Sequence, residues 1–102
     1  MMQSVLTPIS NSILSIESSA VRGLIDSLAN ALDSLRSDGT ISNDAYLDAG
    51  AIQGGMMMIA NLIDAGIDRN ELSQHMAALV SRFNHVEEAH PGLSAAVESI
   101  IS

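Results

Sequence analysis

Cysteine, lysine and tryptophan are all missing from this 102-residue chain, and its aromatics come to one Phe and one Tyr. Without cysteine there is no disulfide, no thiolate nucleophile and no cysteine metal site, which favours a reducing, cytoplasmic setting. Without lysine the Gly-x4-Gly-Lys phosphate loop cannot be assembled, and Gly-x-Gly-x-x-Gly is absent as well. With so few aromatics, Leu, Ile, Val, Ala and Met must fill the core. Long hydrophobic runs are also lacking. The uncharged stretch 49–63 is fifteen residues and includes Gln53 and Asn61, too short to span a bilayer. Residues 1–8 carry no basic segment, so no secretory signal is expected.

Positive charge is scarce too. Twelve acids against four arginines leave a formal charge of −8. That charge repels phosphate backbones and anionic lipid, so neither direct nucleic-acid binding nor membrane contact is expected. The acids are spread evenly along the chain, as ordinary solubility charge would be.

What remains is 47% apolar residue content in a length suited to one domain, 1–102. Thr7-Pro8 reads as a cap and first helical position, followed by Ile9, Ile13, Ile16, Ala20, Leu24, Leu28, Ala31 and Leu35. The spacing predicts a helix over 8–37, weakest where Ser15, Ser18, Ser19 and Gly23 lie. Asp38-Gly39 closes it. Ser42 then caps a helix over 43–65, with Ile41 and Tyr46 as its hydrophobic staple and Gly66 as its left-handed end. Its predicted buried stripe is Leu47, Ala51, Gly54, Met58 and Leu62, flanked by Ile52, Ile59 and Ile63. Asp68 and Glu71 form a capping box inside the Ile67/Leu72 staple, opening a helix over 69–89 that buries Leu72, Met76, Leu79, Phe83 and Val86. His90-Pro91 ends it, and a short helix over 92–101 carries Leu93, Val97 and Ile100.

The fold class is therefore all-α: an antiparallel helical bundle of three main helices plus a short C-terminal one. A thirty-residue first helix would reach ~45 Å against ~35 Å for a partner of twenty-three, leaving an apolar overhang at Ile25 and Leu32. Burying that overhang in a homodimer is the expected solution. Interior glycines cost helices about 1 kcal/mol each, so Gly50, Gly54 and Gly55, with Ala51, predict close approach of another helix. Three consecutive methionines cannot share one face: Met57 and Met58 are expected in the core and a dimer interface, with Met56 partly exposed.

Catalytic patterns are not supported. Asp38-Gly39-Thr40-Ile41-Ser42 resembles the middle of an EF-hand loop, but Ser34, Arg36 and Ala45 stand at three of its ligand positions. The simpler reading is a helix-connecting turn. His75, His85 and His90 with Glu71, Glu87 and Glu88 include one Glu-x-x-His element, yet di-iron bundles need two plus further glutamates. Those side chains read as solvated, and no nucleophile elbow is present.

No metal, cofactor or catalytic residue is assigned. The function expected is a non-enzymatic, protein-binding helical module, as an adaptor, inhibitor or chaperone-like binder is. Its contact residues are Ile25, Leu32, Ile52, Gly54, Gly55, Met56, Met57, Met58 and Ile59, engaging a second copy or another protein. The alternative is an acidic decoy that occupies the nucleic-acid channel of a basic enzyme, as anti-defence proteins can.

Overall fold

Helices end where nearby groups can satisfy the backbone N–H and C=O groups that a helix leaves open. The computed structural model describes residues 5–101, and all regular structure among them is helical. The elements are α1 (Leu6–Asn11), α2 (Ser18–Ser37), α3 (Asn43–Asp64), α4 (Arg69–Ala89) and α5 (Leu93–Ile101). Ser42 Oγ accepts from Ala45 N–H at 3.0 Å to open α3, and Asp68 Oδ1 accepts from Asn70 N–H at 2.7 Å to open α4. Gly39 and Gly66 adopt φ of +80° and +77° after α2 and α3. The next amides then fold back, Thr40 N–H to Leu35 O and Ile67 N–H to Leu62 O, the six-to-one bonds of a Schellman end.

The start of the chain differs from expectation. α1 begins at Leu6, after Val5, so Thr7-Pro8 lies inside its first turn and provides no cap. The helix expected over 8–37 is broken, and the break spans residues 12–17; Gly23 lies within α2. The serines there compete for backbone groups. Ser15 and Ile16 N–H both turn back to Ser12 O. Arg69 supplies the rest from across the fold: its Nη1 donates to Ile16 O at 2.8 Å and to Ile13 O at 3.2 Å. Those are carbonyls that an unbroken helix would have satisfied itself.

The break also removes the length mismatch. At 1.5 Å per residue, α2 with 20 residues and α3 with 22 span ~30 and ~33 Å. α3 packs against both α2 and α4, while α5 lies on α2 and α1 on α4. Ser18 and Arg22, early in α2, bond Asp64 and Asn61, late in α3. Tyr46, early in α3, donates to Asp33, late in α2, so these two helices run in opposite directions. The core collects Ile9, Leu28, Leu32, Ile52, Met56, Ile59, Leu72, Met76 and Val97. Ile25 and Leu32 belong to it, so the expected overhang does not exist: the chain covers that stripe itself. No described helix is long and apolar enough to cross a membrane.

Candidate interaction surface

An α-helix turns 100° per residue, so a helix with apolar stripes on two opposite sides must leave one of them to solvent unless neighbours surround it. α3 is such a helix. Its inward face carries Ala45, Ala49, Ile52, Met56, Ile59 and Ala60, all buried. Its outward face carries Leu47, Gly50, Ala51, Gly54, Met57 and Met58. Leu47 is 67% exposed, Met57 48% and Met58 45%, while Ala51 and Gly54 are also open to solvent. Residues 47, 51, 54 and 58 fall on one side at helical spacing, so these groups form a continuous apolar strip.

This corrects the buried stripe expected for the helix. Leu47, Ala51, Gly54 and Met58 were placed inward and lie outward; Leu62 is half-buried. The methionines are reversed as well: Met56 is fully buried, and Met57 and Met58 are the exposed pair. Of the expected contact residues, Gly54, Met57 and Met58 are on the surface. Ile25, Leu32, Ile52, Gly55, Met56 and Ile59 are in the core and cannot meet a partner in this fold. Leu47 was missed as a surface residue. One signal for the correct phase was available: Ile52, Met56 and Ile59 are all large, whereas the series Leu47, Ala51, Gly54 and Met58 includes two small residues. The bulkier face is the one whose burial releases more free energy.

Close helix approach is realised at one glycine of the three. A Cβ on Gly55 would collide with Leu79 Cδ1 of α4, whereas one on Gly50 or Gly54 would meet nothing within 4 Å. The flanks of the strip are polar and held in place. On the α2 side, Arg22 Nη2 donates to Asn61 Oδ1 at 2.9 Å and to Asp64 Oδ2 at 2.8 Å, and Ser18 Oγ donates to Asp64 Oδ1 at 2.5 Å. The Ser18 bond first, and then Arg22, hold the Asp64 carboxyl below its usual range. Further along, Arg36 lies over the Tyr46 ring, 4.2 Å from its centroid. The Tyr46 hydroxyl donates to Asp33 Oδ1 at 2.6 Å, which raises the phenol above its ordinary value. On the other flank, Asp48 Oδ2 meets His90 Nε2 at 2.7 Å.

Of the histidine and glutamate sets, Glu87 and His90 have structural employment. Glu87 caps α5, accepting from Gly92 N–H at 3.1 Å and Ser94 N–H at 3.2 Å. His90 ends α4 and lines a recess of about 390 Å³ with Thr40, Ser42 and Leu93, between the α2–α3 and α4–α5 turns. Among the described residues, no three His, Asp or Glu side chains are grouped to hold a metal ion. Asp38, in the EF-hand-like turn, accepts from Thr40 N–H at 2.9 Å and Thr40 Oγ at 2.5 Å; its carboxyl is lowered by the side-chain bond and then by the backbone one. No polar or charged side chain is buried among the described residues. No family model, curated protein or solved structure matches the chain.

Proposed function

We propose that this chain is a non-catalytic helical bundle that works by binding protein through the outward face of α3. The observation that carries this reading is the strip Leu47, Ala51, Gly54, Met57 and Met58, apolar and open along a helix whose opposite face already fills the core. Contiguous exposed apolar surface marks contact sites, and flexible methionines suit adaptable recognition. Self-association is one form of this activity, and regulation of another protein is a second. A cytoplasmic setting agrees with the absence of cysteine.

The acidic-decoy reading needs rows of acids presented outward. Asp33, Asp38, Asp48, Asp64 and Asp68 are exposed, but each of them, like Glu87, has a carboxylate oxygen bonded within the chain rather than left to an incoming partner. That distribution favours the apolar strip as the contact.

The test compares capture by the immobilised wild-type chain and by the doubly substituted Leu47→Glu, Met58→Glu chain. Both residues are exposed, so the variant should keep its helical circular dichroism. Loss of the captured proteins from the variant is the expected result. The same proteins retained in equal amount on both would overturn the assignment of the strip.

A further inference from the structure

We propose that the outward face of α3 pairs with the same face of a second copy of this chain, antiparallel about a two-fold axis. Ala51 and Gly54 lie at the centre of that contact, and Leu47 lies beside Met58 of the partner subunit. The proposal rests on the reading of this face as an interaction surface and names its occupant.

The strip is symmetric about its centre. Leu47, Ala51, Gly54 and Met58 follow one another at intervals of four, three and four residues, large at both ends and small in the middle. A rotation that reverses the helix about a point between residues 52 and 53 therefore brings small onto small and large onto large. A two-fold interface demands such a self-complementary patch, and it closes at two copies without growing into a filament.

Charge decides the orientation. The strip is neutral from 49 to 63, with Asp44 and Asp48 toward the start of α3 and Asp64 at its end. Parallel pairing would set Asp44 and Asp48 against their own copies. Antiparallel pairing moves each Asp48 level with Met57 of the partner subunit, about 14 Å along the axis from that subunit's own Asp48 at 1.5 Å per residue. That separation exceeds the ~8 Å Debye length at physiological salt. On a chain of net −8, this neutral strip is also where a second copy meets little repulsion.

The glycines supply an independent argument. Gly50 and Gly54 sit inside α3, and nothing in the chain occupies the space a Cβ would take there. Their helix-weakening effect of about 1 kcal/mol each is thus not offset by intrachain packing, as it is at Gly55. Close approach of a second α3 across Gly54 would offset it.

The absence of cysteine makes the test clean. Single-thiol chains Leu47→Cys and Met58→Cys are prepared, oxidised separately and as a mixture, and resolved by mass. The mixture should give the Leu47→Cys–Met58→Cys disulfide, and each chain alone should give little. Two copies of position 47 lie about 16 Å apart along the axis in the antiparallel pair, beyond the reach of a disulfide. Self-cross-linking of Leu47→Cys as efficient as the mixture would mean parallel pairing and would overturn the proposal.

Sedimentation equilibrium of wild type and Gly54→Ala completes the test. The wild type should dimerise reversibly. The variant should keep its helical content yet associate about tenfold more weakly, because the added methyl holds the helices apart. Equal association of the two, or a wild type that stays monomeric at the concentrations used for cross-linking, overturns the proposal. In that monomeric case the capture comparison with Leu47→Glu, Met58→Glu still decides whether the strip binds some other protein.

Discussion

Met56 and Met57 are consecutive in α3, yet one is fully buried in the core and the other is half exposed. Gly54 and Gly55 repeat the contrast. A Cβ at Gly55 would strike Leu79, while one at Gly54 would stand in open space. The two faces of α3 thus have similar chemistry and opposite surroundings. A rotation of one residue position, 100°, separates a side chain whose loss leaves a cavity from one whose loss leaves only water. Residue type alone therefore does not predict what a substitution in α3 will do.

The largest effect should come from the inward face. Met56→Ala is expected to lower stability by about 2–5 kcal/mol, because the void it leaves is walled by packed side chains. Met57→Ala should stay within about 0.5 kcal/mol, as exposed substitutions do. Urea midpoints at constant m-value check both, and similar losses for the two would erase the distinction between the faces.

The glycine pair should give a smaller effect of opposite sign. Gly55→Ala forces Leu79, itself buried, out of position and is expected to cost about 1–2 kcal/mol after its gain in helix propensity. Gly54→Ala, measured in dilute monomer, should stabilise by up to about 1 kcal/mol. Thermal melts of the two variants should move in opposite directions. A Gly55→Ala chain as stable as the wild type would show that Leu79 yields freely.

The smallest effect belongs to the polar flank. Asp64 has its carboxyl lowered by Ser18 and Arg22, so its contribution is present above the ordinary aspartate value of ~3.9 and is lost as pH falls through the folded value. Wild type should be slightly more stable than Asp64→Asn at pH 7, and that small lead should vanish in acid. A lead that does not shrink as pH falls from about 5 toward 1 would show that the carboxylate charge is not its source.

Much of this fold can be read from short stretches. Ser42, Asp68, Gly39 and Gly66 mark helix ends because each acts within a few residues: a hydroxyl or carboxylate receiving a nearby N–H, or a glycine accepting positive φ. The buried series of α4, Leu72, Met76, Leu79 and Phe83, is legible because its remaining surface is polar and leaves one choice of face. α3 offers two apolar stripes, and the reading of Leu47, Ala51, Gly54 and Met58 as core selected the wrong one. The methionine cluster was visible as a contact candidate, but its division into buried Met56 and exposed Met57 and Met58 followed from that phase and was misjudged with it. The break at residues 12–17 escaped for another reason. Arg69 stabilises it by binding Ile13 and Ile16 carbonyls from more than fifty positions away, and no window on the first helix contains that arginine.

The amino-acid sequence by itself determined that the chain is helical, acidic, free of thiol chemistry and punctuated at Gly39, Gly66 and Pro91, since these depend on composition and on interactions between near neighbours. Tertiary structure decided which face of α3 is inside and where the first helix stops. Both outcomes turn on groups distant in sequence: the apolar volume that α2 and α4 bring against Ile52, Met56 and Ile59, and the guanidinium that Arg69 brings to two open carbonyls. Local propensity is nearly indifferent between the alternatives, so packing and hydrogen bonding across the fold select one.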